Sequence, residues 1–123
     1  MLKKSPLKRK SKHRSLRQKM YEKAEKVFHA WIRRRDEKKG CITCGQPGDQ
    51  AGHWKHGKLD FDPMNLNLQC RGCNFFRSGK LDVYTIRLVE MYGLEKVKDL
   101  ERRAEVIKKY SVEELREIIK KYA

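Results

Sequence analysis

Two matched cysteine knuckles constrain this chain more than any other feature. Cys41-Ile42-Thr43-Cys44 and Cys70-Arg71-Gly72-Cys73 stand 25 residues apart and contain all four cysteines of the sequence. Paired C-x-x-C turns at this separation can gather Cys41, Cys44, Cys70 and Cys73 around one tetrahedral zinc ion. Four thiolates close the coordination sphere, so the zinc they imply is structural and any chemistry lies elsewhere. With 38% hydrophobic and 38% charged residues in 123, the core is thin, and a structural metal supplies folding free energy that such a core lacks. The N-terminus is charged and has no apolar leader, which leads us to expect reduced thiols and a cytoplasmic location.

The net charge of +15 is unevenly placed. Residues 1–39 hold 16 Lys and Arg against 4 Asp and Glu, whereas residues 40–123 hold 15 against 12. Residues 1–14 carry seven basic side chains and no acid. Such a segment cannot bury a core of its own but neutralises phosphates well. It has few apolar anchors, and no stretch of the chain approaches the roughly 18 apolar residues of a membrane span. DNA is therefore the expected partner, and a membrane is not. The candidate contacts are Lys8, Arg9, Lys10, Lys12 and Arg14 in the arm, then Arg17, Arg33, Arg34, Lys55 and Arg77. The competing explanation for the helical charges is a solvated face stabilised by pairs such as Glu22 with Lys26.

The chain divides into four stretches of a single domain: a disordered basic arm at 1–14, a basic amphipathic helix at 15–39, a zinc-stabilised core at 40–80 and C-terminal helices at 81–123. Ser15 with Gln18 forms a capping box, and Leu16, Met20, Ala24, Val27, Phe28, Trp31 and Ile32 recur at helical spacing after it. Ala51–Trp54 and Leu66–Gln69 read as short strands, and Asn74–Arg77 as a short helix after the second knuckle. Asp82 is placed to cap a helix ending at Gly93, with Val83, Ile86 and Val89 inward. A further stripe from Leu94 through Ala104 and Ile107 predicts a helix to about Tyr110. Ser111 with Glu114 then caps a last helix. The expected fold is mostly α with a small zinc-bound ββα-metal unit.

Between and after the knuckles stand Gly52-His53-Trp54, Asn65 and Asn74. This constellation resembles the HNH or His-Me finger nucleases, and in its HNN form the phage junction resolvases of the endonuclease VII type. The resemblance implies that His53 is the general base, Asn65 the loop asparagine and Asn74 a ligand of a catalytic Mg²⁺ or Mn²⁺ at the start of the helix. The residues suit that chemistry. A neutral imidazole can activate water near pH 7, and a hard divalent cation with few protein ligands can neutralise a phosphodiester. Asn65 would either orient His53 or fix the loop. His29 lies beside an apolar stripe and His13 in the arm, and neither has sequence partners that suggest chemistry. Trp54 reads as core.

A closer resemblance runs from Phe28 to about Leu100. Phe28-His29-Ala30-Trp31-Ile32-Arg33-Arg34-Arg35-Asp36 leads into the first knuckle, followed by Ala51-Gly52-His53-Trp54, Asn67-Leu68-Gln69-Cys70, Cys73-Asn74, Ser78-Gly79 and Tyr84. In combination these resemble the NinG/Rap family of lambdoid phage recombination endonucleases. The resemblance implies cleavage of Holliday junctions and other branched DNA in a phage's host cell, and a homodimer to act on both strands. Two positions depart from the pattern. Gly52 replaces the Asp or His that many HNH enzymes carry before the base, leaving Asp60, Asp62 or His56, or substrate phosphate and water, to complete the metal shell. Lys80 stands where Asn is expected, and the chain is shorter than typical members. The rival expectations are a non-catalytic zinc-knuckle module that binds nucleic acid and a degenerate nuclease fold serving as an assembly factor.

Overall fold

A computed structural model describes residues 14–123. The arm contacts expected at Lys8, Arg9, Lys10 and Lys12 lie outside the described residues. Helix α1 spans Leu16–Asp36 and begins at the Ser15–Gln18 capping box, whose two reciprocal hydrogen bonds are both formed. A two-stranded antiparallel sheet follows, β1 (Gln50–His53) pairing with β2 (Leu66–Gln69) so that Gln50 faces Gln69 and His53 faces Leu66. A single turn of π-helix covers Gly72–Phe76. Helices α2 (Leu81–Tyr92), α3 (Leu94–Ala104) and α4 (Val112–Tyr122) complete the chain. The structure is thus mostly helical with one small sheet, and among the described residues no helix is long and apolar enough to cross a membrane.

The sheet separates two apolar clusters. On one side Ala24, Phe28 and Ile32 of α1 meet Phe61, Leu66, Leu115 and Tyr122. The rings interlock edge to face, Phe28 with Tyr122 at 4.7 Å and Trp31 with Tyr122 at 4.8 Å. Tyr110 stands near Tyr21 while Tyr122 stands near Phe28, so α4 runs along α1 in the same direction. On the other side Trp54 packs with Tyr84, Leu88, Val97 and Leu100. Trp54 is core, and its indole N–H donates to Thr85 Oγ1 at 2.9 Å.

A buried ion pair fastens α1 to the sheet. Arg35 grips Asp36 through two parallel bonds of 2.7 and 2.8 Å and donates onward to the carbonyls of Pro63 and Leu66. Asp36 accepts the Leu68 backbone N–H at 3.1 Å. Because every partner is satisfied, the desolvation of these charges is offset locally.

Three boundaries differ from the sequence expectation. Helix α3 ends at Ala104 rather than near Tyr110, and Ile107 is 89% exposed instead of continuing the apolar stripe. Glu105 and Val106 close the helix with tighter i→i−3 bonds, and the β-branched Val106-Ile107 pair resists further winding. Helix α2 starts at Leu81, so Asp82 lies in its first turn rather than capping it, and Ile86 faces solvent. Lys80 holds the cap position with φ 47°, after Ser78 at φ 50° and Gly79 at φ 82°. Three successive left-handed residues reverse the chain sharply, a conformation that the expected Asn adopts more readily than Lys. The turn after the second knuckle is one residue wider than an α-turn, closed by Arg77 N–H to Gly72 O at 3.0 Å.

Candidate functional site

The knuckles do converge. The four Sγ atoms of Cys41, Cys44, Cys70 and Cys73 all lie within 4.8 Å of one another, with Cys44 and Cys70 at 3.6 Å. Sulfurs around a zinc at about 2.3 Å would be about 3.8 Å apart, so the set can hold such an ion. Local bonds prepare it. Gly40 adopts φ 75°, and a Cβ there would meet Gly45 O at 2.8 Å, so only glycine lets the first knuckle close. Ile42 N–H donates to Leu68 O, tying that knuckle to β2. Burial pushes the Cys41 thiol up, but the Thr43 hydroxyl and three backbone bonds outweigh it and bring it to about 6. A backbone bond at Gln46 pulls Cys44 down, whereas burial and the other three sulfurs push it up to about 12. Four sulfurs this close cannot all ionise without a cation between them. Arg77 is drawn toward the same centre, its Nη1 lying 3.8 Å from Cys73 Sγ.

At the opposite end of the hairpin is a second polar cluster. His53 is paired with Leu66, and Ala51 with Leu68, so these four share the sheet face that packs on α1. His53 Nε2 stands 3.7 Å from Asp60 Oδ1, with the histidine side chain 18% exposed. Its ring is 5.7 Å from that of His29 on α1 and 5.6 Å from that of His56. Asp60 also accepts a hydrogen bond from the Tyr21 hydroxyl. Burial holds the His53 pKa below the ordinary imidazole value and His56 adds to this, against the opposing pull of Asp60. His29 is lowered by burial first, then by His53 and Arg33. Burial raises Glu25, and so do Asp60 and Glu22. Glu25, His29 and Arg33 are spaced by four along α1 and therefore share one side of it.

Asn65 is wholly buried behind this cluster. Its Oδ1 accepts the Lys55 N–H at 2.9 Å, and its Nδ2 donates to the carbonyls of Lys55, Lys58 and Leu59 at 3.0 to 3.2 Å. It fixes the loop that carries His56 and Asp60 and is a positioning residue. Of the three acidic or imidazole alternatives to Gly52, Asp62 is already spent, its Oδ1 on Met64 N–H and its Oδ2 on Arg103. Asp60 is the carboxylate against His53.

Asn74 belongs to the turn after the second knuckle, its N–H donating to Cys70 O at 2.9 Å. The turn that bears it runs into Gly79 and Tyr84, which pack on the other sheet face: Gln69 Nε2 donates to Gly79 O at 2.9 Å, and Tyr84 Oη donates to Gly52 O at 2.7 Å. No ring, ion-pair or hydrogen-bond contact joins Asn74 to His53 among the described residues. The place of the missing ligand is also filled. A Cβ on Gly52 would lie 1.9 Å from Gln69 Oε1, and Gln69 is wholly buried.

The basic residues fare differently from one another. Arg14 pairs with Glu22, Lys55 with Glu101, and Arg34 reaches Tyr122 O. Arg17 lines a groove of about 650 Å³ that contains Asp60 and is bordered by Lys58, Lys108, Lys109 and Lys121. His29 lies 24 residues from His53 in the chain, and the groove draws Lys108, Lys109 and Lys121 from the C-terminal part, so neither is legible in local sequence. The four-residue spacing of Glu25, His29 and Arg33 is the one local signal that could have pointed to that side of α1.

The family profile described as Bacteriophage Lambda NinG protein matches residues 2–123. The chain is 35% identical over 106 residues to Protein ninG of Escherichia phage 933W, an alignment covering 80% of this chain and 52% of that protein. It is 35% identical over 85 residues to Protein ninG of Salmonella phage P22 and 34% identical over 85 residues to that of Escherichia phage lambda, each covering 63% of this chain and 42% of the relative. The chain spans about half the length of the curated relatives it matches. No solved structure matches it.

Proposed function

This chain belongs to the NinG family of phage proteins, and from that premise we propose that it is a metal-dependent, structure-selective DNA endonuclease that hydrolyses phosphodiester bonds in branched DNA such as Holliday junctions. The observation that carries the reading is His53, partly buried and 3.7 Å from Asp60, which itself lines a basic groove, on a hairpin anchored by four convergent cysteines. His53 is kept neutral near pH 7 and so can accept a proton from the attacking water. Asp60 orients the imidazole and offers a hard oxygen ligand of the kind Mg²⁺ and Mn²⁺ prefer. Such a cation, when bound, neutralises the scissile phosphate and stabilises the leaving oxygen. Asp60 has better support for this role than Asn74, because it is the one in contact with His53. Arg33, one turn beyond His29, and the groove lysines supply phosphate contacts. Action on both strands calls for a homodimer.

A non-catalytic zinc-knuckle module that binds nucleic acid is the second reading, and one observation favours it. The position before His53 is closed by Gln69, so the ligand of the HNH pattern is absent from its usual place. A synthetic four-way junction incubated with Mg²⁺ or Mn²⁺ separates the two. The enzyme reading expects nicks that EDTA, His53→Ala and Asp60→Asn each suppress. Binding without nicking, or full cleavage by His53→Ala, selects against it.

A further inference from the structure

Phe75 and Phe76 are 73% and 76% exposed, adjacent in sequence, and packed edge to face on each other at 5.3 Å. Two large rings left in water forgo the folding free energy that burying them would bring, and adjacent exposed aromatics mark an interaction surface. They also sit on a rigid platform. The π-turn that carries them is closed by Asn74 N–H to Cys70 O, Arg77 N–H to Gly72 O and Gly79 N–H to Cys73 O, and its base is the second cysteine knuckle. In sequence the pair is flanked by Arg71, Arg77 and Lys80, and no acidic residue occurs between Asp62 and Asp82. A cationic rim around exposed aromatic faces is the pattern that holds single nucleotides, the cations on phosphates and the rings on bases.

We propose that Phe75 and Phe76 form a stacking wedge for unpaired DNA bases at a branch point, and that this turn is what distinguishes branched DNA from continuous duplex. The inference rests on the DNA-binding reading above and adds the element that reads structure. Bases inside a duplex are already stacked, so the rings gain partners only where stacking is interrupted. A second copy of the chain is a poorer occupant: two rings fall far short of the roughly 800 Å² per partner that a stable interface buries, and like copies would oppose like positive rims.

The test uses the full zinc-loaded chain without added Mg²⁺ or Mn²⁺, with 2-aminopurine at the crossover of a four-way junction or inside a linear duplex of the same sequence. Wild type should change the fluorescence of the junction probe alone. Phe75→Ala/Phe76→Ala should lose that response and at least about tenfold in junction affinity, since one base–aromatic stack contributes on the order of 1–3 kcal/mol, with duplex affinity changed less than about twofold. Phe75→Trp/Phe76→Trp should retain the response, and Phe75→Leu/Phe76→Leu should not. Zinc content checks that each variant keeps its turn. Equal losses on both substrates, full activity of the leucine variant, or a dimer that becomes a monomer on alanine substitution would each overturn the wedge. Cleavage by His53→Ala with the wedge response intact would instead remove the nuclease reading and leave this one standing.

Discussion

Replacing Asn65 by alanine removes a wholly buried side chain whose two ends are both spent on one loop. The Lys55 N–H loses its acceptor, and the carbonyls of Lys55, Lys58 and Leu59 lose the amide that they share. Counting one bond for each of the three hydrogens involved, the Lys55 N–H and the two on Nδ2, at about 1 kcal/mol apiece, the change should cost about 3 kcal/mol of stability. For a chain of this size, Tm falls by about 4 °C per kcal/mol, giving a drop of about 12 °C. The loop also carries His56 and Asp60, so junction cleavage measured well below the new Tm should weaken while its pH profile keeps its shape. Asn65→Asp should be worse, because a carboxylate would face three carbonyls. Circular dichroism melts and cleavage rates on the same samples decide the matter. An Asn65→Ala protein with wild-type Tm, no cleavage and a displaced pH profile would show that Asn65 acts on the reacting groups, and the loop argument would fail.

The pKa directions fix two signs. A base must be neutral, and burial lowers His53, so cleavage should be lost as pH falls through a midpoint below 6.5. Asp60→Asn removes the influence that raises it and should move any residual acid limb lower still. His53 and His29 are both lowered on folding, so stability is complete above about pH 6.5 and declines as pH falls toward their folded values; urea unfolding at two pH values reads this, and greater stability in acid would contradict it. Elemental analysis should find one zinc per chain, absent from Cys73→Ser together with a lowered Tm. Gly52→Ala should destabilise by about 1–3 kcal/mol through overpacking against Gln69, and the penalty should shrink in a Gln69→Ala background; additive effects in that double-mutant cycle would deny the clash.

Much of the scaffold can be read from local chemistry. The two capping boxes place the starts of α1 and α4, the glycine at 93 ends α2, and alternation locates β2. These signals act within a turn or two of chain and need no tertiary knowledge. The cysteine spacing likewise announces a cluster, because short knuckles fix their own geometry. What escaped were features set by neighbours distant in sequence. The β-branching of Val106-Ile107 only weakens the helix; it does not say that α3 must stop so that α4 can lie along α1. Nothing near Gly52 announces that the Gln69 side chain occupies the space beside it. The motif at His53 suggests a base, but its surroundings depend on how α1 crosses the hairpin, which is why His29 joins the cluster.

The Arg35–Asp36 clasp has a consequence for how such chains can vary in length. Asp36 is seven residues, about two helical turns, beyond His29. With the end of α1 locked to Leu68, a single residue inserted between them would swing His29 by about 100° around the helix axis and away from His53. Insertions before Glu25 or after the clasp leave that alignment alone. Length drift among relatives should therefore accumulate outside this short span and be purged within it.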